Sequence, residues 1–372
     1  MEKHIFEDKI CEEKMRNSNL ELFRIISMIC IIAHHYVVNS GLLYCVSGSS
    51  LNDIGILIFG WGGKTGINCF MMITGYFMCA KKIGLDNRNN IKKYLLKLFK
   101  LLMEVEFYSI LIYFIFVVFG YESFFIDEFI NTIFPFTYIK DGFTSCFFLF
   151  YLLIPFLCKF VQSLSEKEHR YLLFALLLIY TIMPSLMIEV VFNYVTWFSV
   201  LFVLSSYIRL HGEDSAVFAP GILDSKKVWG KWMVVMLLLS WGSIAAIQID
   251  VLQLGVKEYR YFFVSDCNKI LALTTSVCAF LFFKNIKIKH NKFINTIAAS
   301  SFGVLTIHAN SDSMRQWLWR DIFDNAGHYD NTFPYAFFVV AIVFCICTVI
   351  DIVRIYCLEK PLFRYIERKW VR

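Results

Sequence analysis

The chain has 372 residues, 58% of them hydrophobic and 18% charged, which inverts the balance that a water-soluble globular protein needs. Aromatics at 18%, with only 18 Gly and 6 Pro, exclude disordered and collagen-like classes, leaving an integral membrane protein with room for roughly ten spans of about 20 residues. The formal net charge of +6 comes from Lys and Arg scattered over many loops, with no single patch to hold a nucleic acid.

Residues 1–19 are polar and of mixed charge, and no small-residue cleavage site follows the first apolar run, which therefore reads as a retained span. Apolar runs predict ten helices near 20–40, 55–79, 95–119, 143–162, 170–188, 190–209, 232–252, 267–284, 293–310 and 334–357. Charge asymmetry tests that count. About 27 of the 36 Lys and Arg fall in alternate loops and termini, against about seven on the other side (Lys64, Lys140, Lys257, Arg260, Lys269, Arg315 and Arg320). The expected architecture is an all-α bundle, multi-pass in the cell membrane and bathed by lipid, with both termini cytoplasmic. It has a short segment 1–19, a transmembrane domain 20–357 and a basic tail 358–372.

The first span is the outlier in chemistry. It carries Arg24, His34 and His35, and ionisable residues inside a span are costly and therefore informative. Eleven positions at about 100° bring Arg24 and His35 within about 20° of one helix face, about 16 Å apart along the axis. For Arg24 alone, snorkelling to the headgroups is the better account; for the pair with His34, a polar cavity in front of the stripe is.

In the second span, Gly60-Trp61-Gly62-Gly63-Lys64-Thr65 has phosphate-loop composition, but Ile58 stands where that motif needs Gly and no strand precedes it. Glu104 and Glu106 point about 200° apart, so at most one of them faces a cavity. Loops 120–142, with Glu122, Asp127, Glu128 and Asp141, and 311–333, with Trp317, Trp319, His328 and Tyr329, could bind sugar. The aromatics there read first as an interfacial belt. Asp351 and Arg354, three apart, are expected to neutralise each other, and His169, His211 and His290 to be structural. Most of the 12 Cys sit in apolar runs without a C-x-x-C pair, so neither a metal site nor a disulfide framework is expected.

Residues 19–35 resemble the opening helix of the membrane acyltransferase-3 family, with its basic residue, ten residues, then His. Gly66-Ile67-Asn68-Cys69-Phe70-Met71-Met72-Ile73-Thr74-Gly75-Tyr76 is similar to that family's G-V-D-x-F-F-V-L-S-G-Y stretch, with Asn68 replacing the acid. Lys93, Lys97 and Lys100 open the third span like the family's basic run, where Lys97 and Lys100 replace the R-x-x-R arginines and lose their bidentate fork. Tyr151-Leu152-Leu153-Ile154-Pro155-Phe156-Leu157, Phe302-Gly303-Val304-Leu305-Thr306-Ile307-His308 and Glu359-Lys360-Pro361 resemble its fourth span, ninth span and closing acid-x-Pro. The nearest branch is the one that O-acetylates bacterial surface polysaccharides.

The resemblance implies transfer of an acyl group, usually acetyl, from cytoplasmic acyl-CoA to a hydroxyl of an extracytoplasmic glycan or lipid-linked glycan, with no metal. On that reading His35 is the general base, and Arg24, Lys93, Lys97 and Lys100 hold the phosphates of acetyl-CoA. Asn68 and Thr74 are candidate oxyanion donors, with His34, His308 and Glu359 as further site candidates. The alternative is a proton-coupled transporter or exporter, with Arg24, His34, His35, Glu104, Glu106, His308 and Asp351 along its path.

Overall fold

The computed structural model describes residues 17–370 apart from 82, 84–86, 134–141, 213–214 and 250–258. The basic residues of the N-terminal segment, Lys140, Asp141, Lys257 and the last two residues of the tail lie outside the described residues. Among the described residues there are helices and turns and no strand. This is an all-α membrane protein.

Helix lies at each of the ten apolar runs. The first is α1 (Ser18–Val38), followed by α2 (Leu51–Phe59) and α3 (Gly63–Met78), which together make the second run. Next come α4 (Arg88–Val118), α5 (Phe143–Ser163), α6 (Glu166–Leu177), extended by a π turn over Leu178–Ile182, and α7 (Tyr194–Leu210). They are followed by α8 (Lys226–Gln248), α9 (Ile270–Asn285), α10 (Lys292–Ala299) and α11 (Ser301–His308), the last two meeting at Ser300. Finally α12 (Thr332–Arg354) runs through a π turn over Ile355–Glu359 into α13 (Lys360–Trp370). Side-chain oxygens of Ser50, Asn87, Ser165, Asn193, Ser225 and Asn291 cap α2, α4, α6, α7, α8 and α10, taking up N–H groups that have no partner within the helix.

Six stretches are long and apolar enough to cross a bilayer: Ser18–Val38, Leu51–Met78, Arg88–Val118, Phe143–Ser163, Lys226–Gln248 and Tyr329–Lys369. Helices α7 and α9 are shorter apolar helices. The described part of the basic tail is helical: the amphipathic α13 continues from α12 through the π turn, with Pro361 just after that turn.

Large side chains pack in two buried clusters. One centres on Met72, Phe150, Trp197, Phe202 and Phe280 from α3, α5, α7 and α9, the other on Ile32, Tyr36, Tyr108, Trp319 and Val339. Away from these, α4 exposes Leu111, Phe114 and Ile115, and α8 exposes Val234, Leu238 and Leu239, an apolar outer surface suited to hydrocarbon.

Hydrogen bonds sort the helix ends into two groups. At one end Asn19 Nδ2 donates to the Phe283 carbonyl (2.9 Å), Ser18 Oγ to Asn295 Oδ1 (3.0 Å) and Cys158 Sγ to the Met78 carbonyl (3.2 Å). At the other, Lys269 Nζ donates to the Pro184 carbonyl (2.8 Å), Arg260 Nη2 to the Val46 carbonyl (2.8 Å) and Asn52 Nδ2 to the Tyr329 carbonyl (3.0 Å). Each contact joins segments that the charge asymmetry assigns to one side. The first group is called the basic end below.

Candidate active site

Helix α1 runs past two cavities, one holding His35 and the other Arg24. His34 and His35 point in different directions, as the 100° step requires. His34 shares Nδ1 with the Gly60 carbonyl at 2.6 Å, and its ring lies flat on Gly63, where any Cβ would collide with it. A glycine there is what lets α3 approach α1 so closely.

His35 Nδ1 lies 3.0 Å from His308 Nε2, and His308 Nδ1 lies 2.6 Å from the Val304 carbonyl one turn earlier on α11. A carbonyl only accepts, so His308 carries its proton on Nδ1 and offers the Nε2 lone pair. His35 must then donate from Nδ1, which leaves its Nε2 as the basic nitrogen of a ring that lines the cavity. A backbone carbonyl thus sets the tautomer of two imidazoles in series. His308 is fully buried at the end of α11.

The cavity in front of His35 measures about 430 Å³ and is also lined by His34, Asn39, Lys64, Tyr194 and Arg315. Lys64 Nζ is held by Tyr194 Oη (2.8 Å) and Asp266 Oδ1 (3.0 Å). Val105, Ser109, Thr144 and Asn310 also line an adjoining outer chamber of about 510 Å³, with Glu122, Glu128, Asn131 and Thr132 on its far walls. Glu122 and Glu128 of loop 120–142 therefore line a chamber that adjoins the histidine cavity. The tryptophans of loop 311–333 do not: Trp319 is fully buried against Tyr36, and Trp317 packs on Phe116.

Towards the basic end, a cavity of about 510 Å³ is lined by Arg24, Glu21, Thr74, Lys81, Glu104 and Tyr151. Arg24 pairs with Glu21 at 3.1 Å, one turn back on α1. Burial, and then the nearby Lys97 ammonium, pull the Lys81 pKa below its ordinary value. Phe70, Phe147 and Phe302 cap this cavity, while Ile67, Phe143 and Leu305, about one turn away on the same three helices, face the histidine cavity. One layer of side chains, including the Phe147–Phe302 ring pair at 5.6 Å, separates the two.

Lys100 does not join Arg24. It lines a third cavity of about 550 Å³, with His290, Lys292 and Lys360, and is paired with Glu359 at 2.7 Å. Glu359 in turn holds Arg354 Nη1 at 2.8 Å, while Arg354 Nε meets Asp351 (2.8 Å) and Nη2 meets Glu104 (2.9 Å). Tyr108 Oη donates to Asp351 at 2.8 Å. The expected local Asp351–Arg354 pair exists, but Arg354 is the hub of three carboxylates from α4, α12 and the π turn after α12. Glu104, not Glu106, lies in this network and in the wall of the Arg24 cavity. Lys93 and Lys97 are exposed on α4.

Two oxyanion candidates fall elsewhere. Asn68 is fully buried, its amide donating to the Cys267 carbonyl (2.7 Å) and accepting from Trp197 Nε1 (2.9 Å), so its hydrogen bonds tie α3 to α7 and to the turn before α9. Thr74 donates to the Phe70 carbonyl (3.0 Å) and lies in the Arg24 cavity, away from His35. The cationic and amide donors at the histidine cavity are Lys64, Arg315, Asn39 and Asn310. Residue pattern did not single out Lys64 and Arg315 as site residues; the available signal was two cations on the side where cations are scarce. His169, by contrast, is buried with Nε2 at 2.9 Å from the Val203 carbonyl, a helix-packing role as expected.

A helical membrane protein whose first helix lines two cavities, one of them with paired imidazoles, suits group transfer. The acyltransferase-3 family profile, described as an acyltransferase domain, matches residues 17–352, and the chain belongs to that family. It is a membrane acyltransferase. No curated protein and no solved structure matches the chain.

Proposed function

We propose that this acyltransferase moves an acetyl group from acetyl-CoA, entering at the basic, cytoplasmic end, to a hydroxyl of a surface polysaccharide or its lipid-linked precursor in the histidine cavity. Its place is the bacterial plasma membrane, which it crosses repeatedly. Arg24, Lys81 and Lys97 receive the phosphates of CoA, and the pantetheine arm, on the order of 15 to 20 Å long, follows the α1 face to the thioester beside His35. His35 Nε2 accepts the hydroxyl proton as the acceptor oxygen forms its bond to the acyl carbon. As the C–S bond breaks, the same nitrogen returns that proton to the thiolate, so the reaction consumes and releases no net proton. His308 stabilises the transient imidazolium through its lone pair on His35 Nδ1–H. Asn39, which lines the same cavity, supplies the oxyanion donor.

The observation that carries this reading is the serial hydrogen bonding from the Val304 carbonyl to His308 to His35, which leaves a basic nitrogen on a ring that lines a cavity. The family assignment sets the transporter alternative aside. The test is the acetyl content of surface polysaccharide, read by proton NMR, in cells carrying the wild type, His35→Ala or no copy. The wild type alone should restore O-acetyl signals; equal signals in all three would overturn the reading.

A further inference from the structure

The histidine cavity has a charge that a neutral sugar does not call for. Lys64 and Arg315 both line it, and among its described lining residues there is no Asp or Glu. The adjoining outer chamber has the opposite character, with Glu122 and Glu128 and no Lys or Arg among its described lining residues. Charge therefore changes sign along one continuous cleft, from acidic at the outside to cationic beside His35.

Neither inner cation is fully used. Lys64 gives two of its three protons to Tyr194 and Asp266. Arg315 gives Nη1 to Asp312 at 2.6 Å, but Asp312 is a 96% exposed side chain, and an ion pair in that setting contributes little. The rest of a five-donor guanidinium fork remains for a ligand. Lys64 and Arg315 line a mixed wall, with Asn39, Tyr194 and Asn310 beside Ile31 and Leu305, and each keeps donors beyond its carboxylate partner, Asp266 or Asp312.

We infer that the acceptor carries an anionic group next to its reacting hydroxyl, clamped by Lys64 and Arg315. This rests on the acyl-transfer reading for the identity of the cavity as the acceptor site. The recognised chemistry is an oxyanion, and it has two sources: the carboxylate of a sugar acid, or the phosphate of a phosphodiester-linked glycan or lipid-linked sugar. Lys64 and Arg315 are binding residues. Asp266 and Tyr194 are positioning residues that aim the Lys64 ammonium. The acidic outer chamber then takes neutral neighbouring units through hydroxyl hydrogen bonds and excludes a second anion, which sets the anion in the inner position only.

The test measures binding to the purified full-length protein in neutral-lipid nanodiscs. The probes are galacturonate, its methyl ester, galactose and glycerol 1-phosphate, and the proteins are wild type, Lys64→Gln, Lys64→Arg and Arg315→Gln. Galacturonate, glycerol 1-phosphate or both should bind at least about tenfold more tightly than the ester or galactose, the scale of a charge-assisted hydrogen bond. Lys64→Gln and Arg315→Gln should each remove that preference, and Lys64→Arg should restore part of it. A preference for galacturonate alone assigns a sugar acid, and one for glycerol 1-phosphate alone assigns a phosphodiester. The inference is overturned if neither anion outbinds the neutral probes, or if both Gln variants, eluting as the wild type does on size exclusion, keep the preference. The acyl-transfer reading is read separately, as His35-dependent release of CoA from acetyl-CoA when cell-envelope glycan is added. Its failure beside intact anion preference would sink the transfer reading and leave an anion site standing.

Discussion

At the scale of single residues, the two adjacent histidines of α1 have been given different work by their partners. His34 spends Nδ1 on the Gly60 carbonyl, whereas His35 is oriented by another imidazole. Replacing His35 by Ala should abolish transfer while acyl-CoA binding is largely kept; a folded His35→Ala protein that still turns over near the wild-type rate would refute the assignment. Arg24→Ala should weaken donor binding first, read by titration with a non-hydrolysable acyl-CoA analogue. His34→Ala leaves the Gly60 carbonyl without its donor, a stability cost of about 1 kcal/mol, and should retain measurable activity. His308→Leu removes the lone pair that fixes the His35 tautomer and should lower kcat by about 10- to 100-fold with KM for acetyl-CoA little changed. His308→Gln, which keeps an acceptor, should recover part of that loss. Equal kcat in the Leu and Gln variants would show that His308 only fills space.

At the scale of helices, the sites depend on close approach at two glycines. Gly303 on α11 faces the Asp351 carboxylate so closely that a methyl there would collide with it. Gly303→Ala should therefore lower the unfolding temperature in detergent through about 1 to 3 kcal/mol of overpacking, and an unchanged Tm would show that α11 and α12 can separate freely. Removing the hub of the neighbouring network is worse. Arg354→Met takes the guanidinium from Glu104 and leaves Asp351 with Tyr108 and Glu359 with Lys100, and a broken buried ion pair costs about 3 to 5 kcal/mol. A monodisperse peak at the wild-type yield on fluorescence-detected size exclusion would contradict that.

These same helices show why some of the site was legible beforehand and some was not. The Arg24–His35 stripe follows from helical phase alone, and phase is local to one element. Glu104, Arg354 and Glu359 belong to different elements, and their meeting is a property of packing. Asn68 misled because a buried amide can bridge helices as readily as it can stabilise an oxyanion, and residue type does not distinguish the two. The second and ninth apolar runs each look like one helix because hydropathy averages over a break. The turn at Gly60 and the junction at Ser300 interrupt the helix without interrupting the apolar run.

For the whole molecule, the two ends of the bundle differ in charge, and the Arg24 and His35 cavities lie one after the other along α1. Reporter fusions near Lys140 and Gly327 should give extracytoplasmic signals, since both positions fall in loops poor in Lys and Arg. A cytoplasmic signal from either would invert the proposed direction of transfer. The Arg354 hub has a consequence for how such a protein is made. Glu104 enters the bilayer early in synthesis, whereas Arg354 and Glu359 emerge from the ribosome near its end. Until then Glu104 has Lys100, one turn back on α4, beside it but not the Arg354 guanidinium it meets in the folded protein. The nascent chain therefore holds an incomplete charge cluster that only its last helices can close. A chain that stops short of α12 would leave Glu104 and Lys100 without Arg354 and Glu359, so the network that joins α4 to the end of the chain forms only once the last helices are in place.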